Sequence, residues 1–212
     1  MRCLRPNNKW SLLWVLWPVM LTGCTSMYKG LQRTSGDPSC ITQFRPQFSS
    51  TLYSTQVDVL NHHLSGLLFF KQMPDSSLRV VFANEMGFKF FDFEFTSDGG
   101  FVKHYMMPKM DKKPVVKALR NDFELVLIRA GLQDAYVLQD SSYRYVAVPT
   151  PKGNNYYITD TACTRLERIE KSSSRKPVVK VWMHDYKEGV PDTIRIQHQN
   201  FKFNISLQRV HK

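Results

Sequence analysis

Leu64–Thr96, LSGLLFFKQMPDSSLRVVFANEMGFKFFDFEFT, is the stretch that decides the fold. Runs of Leu, Phe and Val are broken by two polar segments, Met73–Ser77 and Asn84–Gly87, which predicts three consecutive β-strands joined by short turns. Both faces of these strands are apolar. Leu64, Leu68 and Phe70 share one parity on the first strand, and Leu67, Phe69 and Met73 share the other. Leu78, Val80 and Phe82 oppose Val81 and Ala83 on the second. On the third, Phe88 and Phe90 give way to Phe91, Phe93 and Phe95 on the opposite parity. One extra residue inverts side-chain alternation, so a bulge is expected near Phe90–Phe91. A half-exposed antiparallel sheet alternates apolar and polar residues; this one must cover both faces or keep one for an apolar ligand or partner.

The chain opens differently. Arg2, Arg5 and Lys9 precede the apolar run Trp10–Met20 and then Leu21-Thr22-Gly23-Cys24. A basic start, a short apolar run and small residues describe an export signal over residues 1–23, too short to remain as a membrane-spanning helix. Leu21–Cys24 resembles the bacterial lipoprotein box, which implies diacylglycerol on Cys24 and a mature chain beginning there; an ordinary signal peptide with an incidental cysteine is the alternative. Several acyl chains anchor stably, because each buried methylene contributes about 0.8 kcal/mol. In the enterobacterial form of that pattern an Asp after the cysteine retains the protein at the inner membrane. Thr25 stands there instead, which implies the outer membrane and its periplasmic face.

The formal charge of +11 falls to +8 when Arg2, Arg5 and Lys9 leave with the signal. An exported, membrane-tethered protein does not meet a genome, so nucleic acid is not an expected partner. The basic balance fits anionic lipid head groups or simply a solvated surface. Residues 24–50, rich in Ser, Thr, Gly, Pro and Gln, read as a lipidated tether, and 51–212 as a single domain. Cys40 and Cys163 remain after processing; in an oxidising compartment they either pair or stay as free buried thiols. No spacing of Cys and His suits a metal, and no cofactor motif is present.

Catalysis is not expected. His184-Asp185 would face opposite sides of a strand, a poor geometry for a base and its orienter. Asp92 and Glu94 share a parity and could act as acid and base, or form the rim of a strand whose other face is Phe91, Phe93 and Phe95. No nucleophile elbow or phosphate-cradling loop occurs.

Met110–Ala130 is the one predicted helix. Asp111 is placed to cap it, Pro114 sits in the first turn and Gly131 stands as terminator. Val116, Leu119, Phe123, Val126, Leu127 and Ala130 form an apolar stripe, suited to cover one face of the meander. Strands are expected at Thr51–Leu60 and Phe101–Met107, then at Ala135–Gln139, Tyr143–Val148, Tyr156–Asp160, Thr164–Glu170, Pro177–Tyr186, Thr193–His198 and Phe201–Val210. The fold class is mainly β, a curved antiparallel sheet or half-open barrel with one amphipathic helix over its concave face.

A lipobox, an N-terminal extension, a strand opening with Ser65-Gly66-Leu67, an antiparallel meander, one mid-chain helix and a long run of strands resemble the LolA/LolB superfamily of lipoprotein carriers and receptors. The resemblance implies a half-open barrel of about eleven strands around an apolar interior. Where the family receptor carries Pro-Leu-Gly after its third strand, this chain has Asn84-Glu85-Met86-Gly87. The expected activity is binding of a lipid, an acyl chain or an acylated protein between meander and helix, lined by Leu68, Phe70, Val80, Phe82, Phe91, Phe93 and Phe123. A structural lipoprotein docking another envelope protein through the spare apolar face is the second reading, and a filled core stands against both. Arg165, Arg168, Lys171, Arg175, Lys176 and Lys180 flank Ser172–Ser174. Arg165, Arg168, Arg175 and Lys176 are expected on a hairpin that meets lipid phosphates, or on one that is merely solvated and protected from edge pairing.

Overall fold

The computed structural model describes residues 26–211; the leader and Cys24 lie outside them. The strands are β1 (Gln32–Thr34), β2 (Ser50–Val59), β3 (His62–Gln72), β4 (Leu78–Ala83), β5 (Lys89–Phe95) and β6 (Phe101–Met106). After helix α1 (Lys113–Val126) come β7 (Tyr136–Gln139), β8 (Tyr143–Thr150), β9 (Gly153–Asp160), β10 (Leu166–Ser172), β11 (Pro177–Lys187), β12 (Val190–His198) and β13 (Phe203–Arg209). They make one sheet in the order β1-β7-β8-β9-β10-β11-β12-β13-β2-β3-β4-β5-β6, antiparallel throughout. β1 and β6 are its two edges, so the sheet curves without closing.

The meander folds as its pattern requires. Ser76 turns with φ 65° while Asp75 accepts the Ser77 N–H, and Gly87 at φ 85° closes the second hairpin, where Asn84 accepts from Gly87 N–H. Phe82 pairs Phe91 and Ala83 pairs Lys89, which leaves Phe90 as the extra residue of a bulge. Phe90 and Phe91 are both buried as a result, although they are consecutive. On the concave face Leu68, Phe70, Val80, Phe82, Phe91, Phe93 and Phe95 are buried. The outer face is handled differently. Phe69 and Val81 are half-buried beside an ion cluster in which Asp92 meets Arg79 at 2.7 Å and Lys89 at 2.9 Å. Burial pushes the Asp92 carboxyl up, but its hydrogen bonds from Lys89 and Arg79 outweigh this and hold it below the usual carboxylate range.

Gly66 has its own reason. A Cβ there would lie 2.1 Å from the Ala83 carbonyl oxygen, because the end of β4 crosses close over β3.

α1 is shorter than its pattern at both ends. Its N-cap is Lys112, which makes no side-chain cap. Asp111 instead holds Lys103 at 2.6 Å. At the other end Arg129 N–H reaches Glu124 C=O and Ile128 N–H reaches Leu125 C=O, the paired bonds of a left-handed helix stop. Ile128, not Gly131, takes the positive φ, 47°. A β-branched residue is disfavoured there, and full burial of the Ile128 side chain compensates.

Residues 26–50 do not form a loose tether. Tyr28 and Leu31 pack over the outer face of β8 and β9 on Tyr145, Ala147, Tyr156 and Ile158, and the Tyr28 hydroxyl donates to Glu170 at 2.6 Å. β1 then pairs with β7, which makes thirteen strands where about eleven were implied. A 3-10 turn at Pro38–Phe44, capped by Asp37, buries Ile41 and Phe44 in the main core. Low apolar content misrepresents this segment, because a few large side chains spaced along it carry the contact. Cys40 and Cys163 are joined by a disulfide across a sequence separation of 123 residues.

Two outcomes follow from this packing. Cys40→Ala with Cys163→Ala is expected to lower unfolding stability by about 2–5 kcal/mol, with the same loss on reducing the unsubstituted protein, read by denaturant unfolding. Gly66→Ala is expected to cost about 3 kcal/mol, since backbone rather than a movable side chain blocks the methyl; equal midpoints for variant and parent would contradict the close crossing of β4.

Candidate functional site

Helix α1 lies under the concave face with its two halves doing different things. Phe123 is fully buried, its ring 6.1 Å from Phe70, 5.8 Å from Phe91 and 6.4 Å from Phe95 in edge-on or tilted contacts. Leu125, Val126 and Leu127 continue this packed end. The first turns of the helix present smaller side chains, Pro114, Val115 and Ala118, which line a gap between helix and sheet. The gap is a cavity of about 420 Å³, bounded by β2, β3, β13, the helix and the segment that precedes it. Ligand pockets commonly span about 300–1,000 Å³.

Its walls are almost wholly apolar. Leu68, Phe82, Phe91, Leu119, Phe203 and Ile205 form the interior, all buried. Thr55 is the polar residue in the depth, and its hydroxyl is taken by the Tyr53 carbonyl. His62, Lys109 and Lys112 lie at the mouth with Leu60 and Phe201, all solvent-exposed. Such a lining offers aliphatic contact over its length and cationic groups only where a ligand would leave it.

Four of the seven residues expected to line a ligand site, Leu68, Phe82, Phe91 and Phe123, meet this cavity. Phe70, Val80 and Phe93 do not; each has no solvent exposure and is packed core. Parity assigns the six strand residues to the concave face but does not say how far along it the helix that carries Phe123 fits tightly. The signal missed in the sequence is the small-residue start of the helix, Pro114-Val115-Val116-Lys117-Ala118, together with Val57, Phe203 and Ile205 from strands distant in the chain.

Beside the cavity lies a buried histidine–aspartate contact. His198 Nε2 is 2.8 Å from Asp122 Oδ2, with side chains 7% and 1% exposed, and the ring also packs on Phe201 and Phe203. Burial pushes the Asp122 carboxyl up, against the opposing pull of His198 and Lys171, and its second oxygen has no partner. The pair ties α1 to the end of β12.

The other singled-out residues disperse. Asp92 is held by Arg79 and Lys89, while Glu94 takes His104 at 2.5 Å and leaves no free acid–base pair. Arg165 pairs Glu167 at 2.6 Å and Arg168 pairs Glu170 at 2.8 Å along the strand. Of the four cations placed on one basic loop, only Arg175 and Lys176 share the β10–β11 turn and face solvent. Residues close in sequence are separated by the length of an extended strand. Among the described residues no group of three His, Cys, Asp or Glu side chains is placed to hold a metal, and no helix is long and apolar enough to cross a membrane.

A single open antiparallel sheet, curved around one helix with an apolar cavity between them, is a LolA/LolB-like fold. A LolA superfamily protein from Nitrosomonas europaea superposes with a TM-score of 0.51 at 8% identity, over 82% of this chain and 90% of that one. A DUF1329 family protein from Desulfovibrio piger ATCC 29098 gives a TM-score of 0.42 at 9% identity, over 81% and 88%. No protein-family model matches the sequence, and no curated protein does.

His198→Leu is expected to cost about 3–5 kcal/mol, because it strands a buried carboxylate. Adding Asp122→Leu should restore much of that loss, and a double variant as unstable as the sum of two single ones would contradict the pairing in chemical denaturation.

Proposed function

We propose that this protein is a lipid-anchored envelope protein that binds the aliphatic chain of a lipid or acylated protein in its half-open barrel, as a carrier or receptor rather than an enzyme. The observation that carries the reading is the cavity of about 420 Å³, apolar in depth and cationic at its mouth. An acyl chain needs no hydrogen bonds along its length, and its head group is anionic or polar in most membrane lipids. The fold, shared with a LolA superfamily protein, is compatible with a lipid or acylated-protein ligand. The lipobox-like Leu21–Cys24 supports attachment through Cys24, and Thr25 supports the outer membrane, at its periplasmic face. Absence of catalysis is supported by the engagement of Asp92 and Glu94 in ion pairs.

A structural role has one observation in its favour. Leu67, Val102 and Tyr105 are exposed on the outer side of β3–β6, a surface able to meet another envelope protein.

The test is mass spectrometry of organic extracts from the purified full chain, beside Ala118→Trp, which puts an indole into the cavity from the helix. Co-purifying lipid in the parent, reduced at least about fivefold in a folded Ala118→Trp variant, is the expected result. Protein that is consistently free of lipid, and takes up none when incubated with phospholipid or lysophospholipid, would overturn it.

A further inference from the structure

Antiparallel alternation sorts the turns of the sheet onto two rims, and the rims differ in chemistry. One rim carries the turns after β2, β4, β8, β10 and β12, with the start of α1; Leu60 N–H donates to Lys202 C=O across two of these turns. Four large apolar side chains stand in water on it: Met86 at 82% exposure, Phe88 at 65%, Leu60 at 58% and Phe201 at 46%. Single exposed apolar residues are ordinary, but these tips converge on the rim where the cavity opens between Leu60, Phe201 and Lys112. Lys109, Lys112, Lys152, Arg175, Lys176 and Lys202 are exposed among them. Glu85 is the exposed carboxylate in the same turns. The opposite rim carries Asp75, Asp98, Asp140, Asp160 and Glu188 in its turns; of the cations there, Arg165 pairs with Glu167 and Lys187 and Arg209 with Asp192, while Arg45 and Lys71 are exposed, so its charges are mixed.

The path of the N-terminus adds an independent constraint. Ser26 Oγ donates to Ser174 C=O and Met27 N–H to Arg175 C=O, which docks the first described residues on the basic rim at the β10–β11 turn. Met27 is itself 68% exposed there. Only Thr25 separates Cys24 from this docked segment.

We infer that the basic rim is a membrane-docking surface, which seats the apolar tips of Leu60, Met86, Phe88 and Phe201 in the head-group region of an anionic bilayer and holds the cavity mouth against it. Apolar tips ringed by lysines match an interface that is apolar inside and negatively charged outside. The opposite rim has mixed charge and, among the described residues, no such group of exposed apolar tips, so free lysines and apolar burial together select one orientation. An acyl chain then passes between bilayer and cavity without crossing water. The docking surface goes beyond the cargo reading and can be tested without reference to what the cavity holds.

The experiment places tryptophan at Met86→Trp or Phe201→Trp on the basic rim, and at Val210→Trp on the opposite side as control. The full chain is reconstituted in vesicles of phosphatidylethanolamine and phosphatidylglycerol with brominated acyl chains, and the parent supplies the background of Trp182 and the leader tryptophans. About twofold bromine quenching at positions 86 and 201, weakened at high salt, with none at 210, is expected. Absence of quenching at both rim positions, or equal quenching at 210, overturns the proposal. Protection of the rim only on adding an acylated protein, and never by vesicles, also overturns it and assigns the surface to a protein partner. Failure here with lipid still co-purifying leaves the cargo reading standing, and the reverse result leaves the docking surface standing.

Discussion

A wide, curved sheet with one apolar face must be roofed, and a single 14-residue helix is the roof it has. At 1.5 Å per residue such a helix is about 21 Å long, roughly the length of one strand and much narrower than thirteen of them. The far half of α1 fits tightly because the Phe123 ring reaches Phe70, Phe91 and Phe95, and Leu125 and Val126 are buried beside it. The near half has no aromatic side chain to do the same, and Pro114, Val115 and Ala118 line the cavity there. The cavity lies beside the first turns of this helix, and the Asp122–His198 pair ties the helix to the end of β12.

The rest of the architecture supports that roof. The 3-10 turn and its disulfide to Cys163 pack Ile41, Phe44 and Phe48 into the same core from the open side. The strap Tyr28–Thr34 covers the outer face of β8 and β9 and adds the edge strand β1. The sheet is thus covered on one face near β3–β5 and on both near β8–β9, which explains why Tyr145–Val148 and Tyr156–Ile158 read as continuous apolar runs.

Charge is distributed by topology. The four aspartates in the turns of one rim cap their own hairpins: Asp75 accepts from Ser77 N–H, Asp98 from Gly100 N–H, Asp140 from Ser142 N–H and Asp160 from Thr164 N–H. The lysines of the other rim make no such turns and stay free in water. A net charge of +11 says nothing about this separation. Strand alternation creates it, since every second turn of a meander falls on the same side.

Local pattern determined much of this protein. The three strands of Leu64–Thr96, their turns, the bulge at Phe90, the amphipathic helix and most of the later strands follow from side-chain period and from Pro, Gly and Asn placement, because those signals act over a few residues. The pairing of β13 with β2, the docking of residues 26–50 and the stop of α1 at Ile128 instead of Gly131 depend on contacts between distant segments. So does the division of the Phe-rich face: Phe82 and Phe91 line a cavity while Phe70 and Phe93, of the same residue type and parity, are packed core. Parity gives the direction of a side chain, but the space in front of it is set by what the rest of the chain brings there.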